Sequence, residues 1–346
     1  DVPFSGSCYS EAIPMQFLPQ PDGLMTDHWQ PAVRAFFLVG LLVTGATAQP
    51  AVSGRTDRVK VTAVQISGYD KGELPRADKH PVEQLIPHIE SASRDRSQLV
   101  VFPEYVLGHI KVPGPETQRI AAAARAGAIY VIVGCWEVLD DSTFANTALV
   151  FDRGGEIVGK YRKTHAAVDH FDASGSPWQN PPAGKSAAWM VENDPEWIMQ
   201  SGQELPVFEL DFGKVGIMTC YDGWFPEPAR ILSLKGAELI VWINGRRGNV
   251  EDFIVRTTMF QSHVSIVTTN QAYGGGTMIG DATRRPDVIV ARGVDRQESA
   301  ISATLDLKKL RTVRRQSRNF RRRRPDLYGP LTTPVEKILE STLDDR

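Results

Sequence analysis

From residue 59 onward, the chain alternates between short apolar runs rich in β-branched residues and longer segments with helical periodicity. The apolar runs predict strands, because branched side chains pack well on a pleated surface. They lie at 59–66, 99–102, 129–134, 215–219, 238–243, 264–269 and 301–305. The segments between them predict helices, which start at Pro81 or occupy 121–128, 226–235 and 250–262. This repetition favours an α/β fold in which helices cover parallel strands.

Two further features indicate antiparallel pairs, so that the predicted sheet is mixed. The turn signal Arg153-Gly154-Gly155 separates two strand-like runs and is typical of a hairpin, and the segment 286–305 adds another antiparallel pair. No linker rich in Pro, Gly or Ser divides 59–305, which predicts one domain. The stretch 166–205 has little periodicity, and we interpret it as a lid or wall of a pocket.

The N-terminal region has a different pattern. Arg34 precedes a short apolar run that ends in an A-x-A site at Ala48, which is the order of a secretory signal peptide. We predict that Met25 is the true start, that 25–48 is a signal peptide and that 1–24 is an upstream artefact or tag. The alternative is a buried N-terminal helix. The protein is then exported, to the periplasm or the medium, if Met25 is the start, and cytoplasmic otherwise.

Composition and charge exclude several classes of protein. The chain has 346 residues, of which 42% are hydrophobic and 23% are charged, and its net charge is −2. This is the balance of a globular domain, and it gives no overall electrostatic case for nucleic acid. The basic run 308–324 is the exception, and we interpret it as part of a charged C-terminal arm rather than a nucleic-acid site. Three cysteines are too few for a disulfide framework and do not suggest a zinc site.

Three residues could carry chemistry. Cys220 follows an apolar strand and precedes a helix, where a side chain is exposed at the carboxyl end of a sheet and positive helix termini favour a thiolate. Glu104 directly follows another buried strand, so it could share a cleft with Cys220. Alternation along 160–163 places Lys163 on the same face as Tyr161. Each also has an ordinary explanation: a packed thiol, a solvated loop carboxylate and a solvated basic run.

Three motifs then occur in order along the chain. They are FPEYVLG at 102–108, KYRKTH at 160–165 and CYDGWFPE at 220–227. Together they resemble the nitrilase superfamily of carbon–nitrogen hydrolases, and the resemblance covers about 59–330. It implies a four-layer α-β-β-α sandwich with mixed sheets, formed by a hydrolase domain over 59–310. It also implies that the basic arm, 311–346, packs on a partner subunit in a homodimer or higher homo-oligomer.

The resemblance implies a catalytic triad of Glu104, Lys163 and Cys220. It also implies a second glutamate that positions substrate and lysine, which we assign to Glu137. The backbone N–H of Tyr221, directly after the nucleophile, is expected to help hold an oxyanion. Further residues are assigned to the substrate pocket: Tyr105, Trp224 and Asn244. No metal, organic cofactor or nucleic-acid partner is expected.

The substrate predicted from these motifs is a small molecule with an amide or N-carbamoyl bond. Members that cleave nitriles often have Trp-Glu after the cysteine, whereas Tyr221-Asp222 follows here, as in amidase members. Nitrile hydrolysis remains an alternative, and acyl transfer or non-catalytic binding are alternatives of other classes. The chain departs from the family at 258–262, where a common Arg–Ala–x–Glu–Asn run is missing.

Overall fold

The structure is a computed structural model that describes residues 56–66, 82–140, 143–167, 196 and 199–333. The chain divides into two units, Asp1–Ala51 and Val52–Arg346, and all described residues belong to the second. The predicted signal peptide and most of the predicted lid therefore lie outside the described residues. No helix in the described ranges is long and apolar enough to cross a membrane.

The first sheet contains seven strands, six from residues 58–162 and one from residues 299–306. Its strands are β1 (Arg58–Gln65), β2 (Leu99–Val101), β3 (His109–Lys111), β4 (Tyr130–Val138), β5 (Phe144–Phe151), β6 (Ile157–Arg162) and β13 (Ser299–Asp306). The order is β13-β1-β2-β4-β5-β6, and β3 pairs with β4. The pairs β1–β2 and β2–β4 are parallel, whereas β13–β1, β4–β5 and β5–β6 are antiparallel.

The second sheet contains six strands in the order β12-β11-β10-β9-β8-β7. They are β7 (Val207–Leu210), β8 (Gly213–Thr219), β9 (Leu239–Ile243), β10 (Ser265–Thr269), β11 (Met278–Gly280) and β12 (Ile289–Arg292). Strands β8, β9 and β10 run parallel, and the outer pairs are antiparallel. The carboxyl ends of β8 and β9 therefore lie at one edge, beside each other.

Helices cover the outer face of each sheet, because alternating strand residues are apolar on both faces. The helices are α1 (Val82–Arg94), α2 (Pro115–Gly127), α3 (Pro226–Leu234), α4 (Asp252–Ser262), α5 (Leu307–Gln316) and α6 (Arg318–Arg321). In β4, Ile132 belongs to the core shared by the two sheets, whereas Val131 and Val133 pack with α1 and α2. Residues of α3 and α4 join the core on the second sheet. The four layers α-β-β-α and the mixed sheets are those that the resemblance implied.

The hairpin and the last strand also agree with the sequence analysis. Strands β5 and β6 pair across the turn at Gly155, whose φ of 80° is readily adopted only by glycine. The antiparallel β11–β12 and β1–β13 pairs include the segment 286–305. Three strands were not predicted from the sequence: β3, β7 and β11. Each has only three or four residues, too few for periodicity to be visible.

The beginning of the basic arm packs on its own domain. Arg311 in α5 pairs with Glu238, with Nε 2.5 Å from Oε1. Arg314 donates to the backbone oxygens of three residues near the ends of α3 and α4: Ser233, Ala237 and His263. The first turns of the arm therefore contact residues next to the second sheet of the same chain. A contact of 311–346 with another subunit stays a prediction.

The shared core predicts a large difference between two isoleucines. Ile132 is fully buried between the sheets, whereas Ile231 in α3 is 39% exposed. We expect Ile132→Ala to lower the free energy of unfolding by roughly 2–5 kcal/mol, because a cavity remains in a packed core. Ile231→Ala is the matched control, with an expected change below about 1 kcal/mol. Urea denaturation measures both, and equal losses would contradict this assignment of the core.

Candidate active site

Cys220 lies where β8 ends and a 3₁₀ helix, Cys220–Trp224, begins. Its φ is 45°, a conformation that is uncommon for a residue with a side chain and is found at functional sites. Trp242 holds this turn through two contacts. Its Nε1 donates to the Cys220 carbonyl at 2.9 Å. Its ring lies so close to Gly223 that a Cβ at this position would be 2.2 Å from a ring carbon, which only glycine avoids. The cysteine is therefore held at the carboxyl edge of the second sheet by backbone geometry.

Glu104 lies across from this turn, just after β2 in the first sheet. Its side chain is 1% exposed, and Oε1 accepts hydrogen bonds from Asn146 Nδ2 at 2.6 Å and from Lys163 Nζ at 3.2 Å. Its backbone N–H donates to the Asn244 carbonyl at 3.2 Å, and Gln271 Nε2 donates to its carbonyl at 3.0 Å. The base candidate is thus held by residues of both sheets.

Burial decides the protonation of Glu104. Removal from water raises the pKa of this carboxyl to about 6, against the opposing effect of Lys163; Glu196 adds to the rise and Asn146 reduces it. A carboxyl with this pKa is ionised at neutral pH and also accepts a proton readily. These are the properties of a general base that later acts as an acid.

Lys163 directly follows β6 and is buried, as is Tyr161, whereas Lys160 is exposed and Arg162 is intermediate. The alternation predicted from the sequence is therefore present. Burial opposes the charge on Lys163, but the attraction of Glu104 and Glu196 outweighs it and places the pKa of the lysine well above its usual value. Lys163 is accordingly a fixed ammonium ion.

Glu196 is a site residue that the sequence analysis missed. Its Oε1 accepts a hydrogen bond from Lys163 Nζ and another, at 3.4 Å, from Asn146 Nδ2, while Oε2 accepts from the Ala167 backbone N–H. It lies within the aperiodic stretch 166–205, where no strand or helix pattern distinguishes one acidic residue from another. The available signal was a carboxylate between Pro195 and Trp197, directly before the segment that leads into β7.

The structure does not place Glu137 beside Lys163, and the expectation that it positions the lysine is corrected. Glu137 follows Cys135 and Val133 on the helix-covered face of the first sheet, which is the opposite face from Lys163. Its carboxylate accepts from Lys160 Nζ at 2.6 Å and from Arg162 Nε at 3.1 Å. These two cations outweigh burial and lower the pKa of Glu137. Glu137 was assigned from its position along the chain. The alternation of side chains along β4 directs it to the face opposite Lys163.

A single carboxylate links the cysteine turn to the lysine strand. Asp222 is fully buried and accepts from Tyr161 Oη at 2.7 Å, Thr164 Oγ1 at 3.0 Å and the His165 backbone N–H at 3.0 Å, all at the end of β6. It also accepts from the Thr219 N–H at 2.8 Å in its own turn. Burial alone would raise the pKa of Asp222, but the bonds from His165 and Tyr161 outweigh it and keep that pKa low.

The Cys220 thiol is protonated at rest, contrary to the thiolate that its position suggested. Burial raises the pKa of the thiol, and the charges of Glu104 and Glu196 raise it further; Lys163 and Arg246 oppose the rise. Glu104 and Lys163, whose charges act on this thiol, are the other two residues assigned to the triad, and their joint catalytic role stays a prediction. The sulfur therefore needs a base at the moment of attack, which is the role available to Glu104.

The remaining predicted residues surround this cluster. Tyr221 is the second residue of the 3₁₀ helix, where backbone N–H groups have no partner within the helix. Tyr105 donates its hydroxyl to the Gly245 carbonyl and stacks on Trp136, and the Trp224 ring is 56% exposed. Asn244 is buried, and its Nδ2 donates to backbone carbonyls of β9 and β10. Their roles in substrate binding stay predictions.

Comparison with known proteins agrees with this geometry. The sequence profile of the carbon-nitrogen hydrolase family matches residues 60–315. The chain belongs to this family, which is part of the nitrilase superfamily. It is 29% identical to omega-amidase NIT2 of Xenopus tropicalis over 241 residues, which is 66% of this chain and 79% of that protein. It is 27% identical to human omega-amidase NIT2, with the same two coverages.

Two solved structures share the fold. A carbon-nitrogen hydrolase from Helicobacter pylori G27 aligns with a TM-score of 0.59 at 21% identity, over 80% of this chain and 99% of that one. An amidase from Nesterenkonia sp. aligns with a TM-score of 0.55 at 16% identity, over 75% of this chain and 94% of that one. At these identities the likeness establishes the architecture of two mixed sheets between helices.

The two glutamates predict different mutant phenotypes. We expect Glu196→Gln to lower kcat/KM by roughly 10- to 100-fold, because Lys163 loses a hydrogen bond to a charged partner. Glu137→Gln should instead lower the melting temperature while kcat/KM is retained, because only Lys160 and Arg162 lose their partner. Steady-state kinetics and thermal unfolding measure both variants. A large kcat/KM loss in Glu137→Gln with full activity in Glu196→Gln would reverse the assignment.

Proposed function

We propose that this protein hydrolyses a non-peptide amide or N-carbamoyl bond through a thioester on Cys220. The proposal is supported chiefly by one observation: the buried Glu104 carboxylate, whose pKa is raised to about 6, accepts a hydrogen bond from the Lys163 ammonium, and the charges of both act on the Cys220 thiol. These are the base, electrophilic stabiliser and nucleophile that acyl transfer requires. The names of the omega-amidases and of the Nesterenkonia amidase support amides as the substrate class.

The reaction proceeds in two halves. Glu104 takes the thiol proton as Cys220 Sγ attacks the amide carbon, and the Lys163 ammonium and the Tyr221 N–H stabilise the oxyanion. Glu104 then gives its proton to the departing nitrogen, which leaves as ammonia or an amine. In the second half, Glu104 removes a proton from water, and the water attacks the thioester. The carboxylic acid leaves, and the proton returns to Cys220.

Nitrile hydrolysis is the second candidate, because the same thiol can attack a nitrile carbon. Attack on a nitrile places the developing negative charge on nitrogen rather than oxygen and requires two water additions to release ammonia. Ammonia release from matched amides, N-carbamoyl amino acids and nitriles separates the two. Acyl transfer to an added amine, with no free acid formed, would indicate a transferase. Inertness towards the whole panel would indicate a binding protein.

The covalent step gives a direct test. Acid quenching during turnover should trap an acyl group on Cys220, which is detected as a mass increase on its tryptic peptide. We expect Cys220→Ser to lower kcat/KM by roughly 10³-fold or more and to remove the adduct. Cys135→Ser is the matched control, because Cys135 is buried on the helix-covered face of β4. An adduct that persists in Cys220→Ser would refute the assigned nucleophile.

The raised pKa of Glu104 predicts an acid limit to activity. Below about pH 6 the carboxyl is protonated and cannot accept the thiol proton, so kcat/KM should fall as the pH decreases through this value. Asn146→Leu removes a hydrogen bond that lowers the pKa of Glu104, so its acid limb should move to higher pH. The exposed Asn319→Leu serves as the control. A pH–rate profile measures the three proteins, and an unmoved limb in Asn146→Leu would contradict Glu104 as the base.

A further inference from the structure

The positive charge of the chain is concentrated in one segment of its surface. Residues 308–324 include ten Lys and Arg residues and no Asp or Glu, whereas the whole chain has a net charge of −2. The rest of the chain is therefore acidic on balance. The reaction scheme above gives this basic segment no task, although a local charge of this size attracts anions.

Packing on the domain fixes the position of the basic segment. Leu307 and Leu310 of α5 are buried in the core, and Arg314 donates to three backbone carbonyls near the ends of α3 and α4. Arg321 Nη2 donates to the Arg315 carbonyl at 2.7 Å, which joins α6 to the end of α5. The segment is therefore part of the folded surface, and its exposed side chains are presented from a fixed base.

Most cations of the segment have no carboxylate partner. Three form ion pairs: Lys308 with Asp57, Arg311 with Glu238 and Arg324 with Asp326. Six form no ion pair with another described residue: Lys309, Arg315, Arg318, Arg321, Arg322 and Arg323. Unpaired cations on one surface repel each other, so they favour a partner that carries several negative charges.

Two aromatic rings bring further cations close to this surface. The guanidinium carbons of Arg230 and Arg314 lie 5.0 Å and 5.1 Å from the centre of the Phe320 ring, and that of Arg323 lies 5.3 Å from the centre of the Tyr328 ring. Burial lowers the pKa of Arg230, and the charge of Arg323 lowers it further. A bound anion would relieve this repulsion.

Exposed apolar side chains follow directly after the arginines. Leu327, Tyr328 and Leu331 are 61%, 36% and 65% exposed, in two short 3₁₀ helices, Pro325–Leu327 and Gly329–Thr332. Arginines beside exposed Leu and Tyr match an anionic bilayer, because its headgroups attract cations and its interface takes up aliphatic and aromatic side chains. A nucleic acid would neutralise the arginines through its phosphates but would give the two leucines no apolar layer.

We propose that the unpaired arginines of 315–323, together with Leu327, Tyr328 and Leu331, bind the anionic headgroups of a lipid bilayer, so that this is a peripheral membrane protein. The headgroup phosphates contact the arginines, and the two leucines enter the boundary between headgroups and acyl chains. The inference does not depend on the proposed function, because none of these residues belongs to the cluster around Cys220. Binding of this kind is reversible and weakens with salt.

Co-sedimentation of the full chain with lipid vesicles tests the proposal. We expect binding to vesicles that contain phosphatidylglycerol beside phosphatidylcholine, and no binding to vesicles of phosphatidylcholine alone. Raising the salt concentration from about 0.1 M to about 0.5 M should weaken the binding, because salt screens the surface charges. Absence of binding to the anionic vesicles at the lower salt concentration would overturn the proposal.

A double variant tests the arginines. Arg318 and Arg322 are exposed, and their side chains form no hydrogen bond or ion pair with another described residue. We expect Arg318→Gln/Arg322→Gln to lower the partition coefficient on anionic vesicles by about 10- to 30-fold. The matched control is Arg96→Gln/Lys111→Gln, which removes two exposed cations beside the first sheet and should leave the coefficient unchanged. Equal losses in both double variants would contradict a specific surface, since only net charge would then matter.

A second double variant tests the apolar part of the surface. We expect Leu327→Ser/Leu331→Ser to lower the partition coefficient by about 3- to 10-fold, with its salt dependence retained. Val158→Ser/Val294→Ser is the control, because these valines are 49% and 54% exposed elsewhere in the fold. Thermal unfolding verifies that all the variants are folded.

Two outcomes would assign the surface to another partner. An unchanged coefficient in the leucine variant, with equally tight binding of a single-stranded DNA oligonucleotide by the wild type, would rule out the bilayer in favour of nucleic acid. Salt-sensitive self-association in sedimentation velocity, without any affinity for the anionic vesicles, would rule it out in favour of a second copy of the chain.

Discussion

The structure depends on one buried ionic cluster between its two sheets, formed by Lys163, Glu104 and Glu196. Transfer of such charges out of water costs on the order of several kcal/mol per ion, which only close pairing offsets. Burial raises the pKa of the Glu104 carboxyl to about 6 against the attraction of Lys163, and the second carboxylate, Glu196, adds to the rise. Glu104 therefore has an increased affinity for a proton within this cluster.

The two sheets hold Glu104, Lys163 and Cys220 in buried positions, where a charged side chain is energetically unfavourable. The first sheet supplies Glu104 after β2 and Lys163 after β6, and the second supplies Cys220 after β8. All three follow carboxyl ends of strands, so the two sheets must pack face to face with these ends adjacent. The Glu104 N–H donates to the Asn244 carbonyl, and the Gln271 side chain donates to the Glu104 carbonyl, so these two bonds join the sheets at that edge. The apolar core between the sheets therefore fixes the distances in the site as well as the stability of the domain.

The sequence predicted the architecture because strands and helices leave local signals, and it assigned the site residues through the resemblance that three motifs carry. Long strands have visible alternation, and Lys163 was placed on the face of Tyr161 by that rule alone. The motifs around Glu104, Lys163 and Cys220 are each short, and their order and spacing together make them specific. Glu196 was missed because its function arises only when an aperiodic segment folds onto Lys163. Glu137 was misassigned because its position in the sequence was compared with the family, while the face of β4 on which its side chain lies was not considered. The raised pKa of the Cys220 thiol was not visible in the sequence, because it depends on burial and on carboxylates from distant parts of the chain.

Asp222 has a consequence for the motions of the site. Because this one carboxylate bonds Tyr161, Thr164 and His165 on one sheet and Thr219 on the other, the lysine segment cannot separate from the cysteine turn without breaking all these bonds together. We therefore expect local unfolding at Asp222 to displace Lys163 and Cys220 together, so that hydrogen exchange of the two segments should share one opening step.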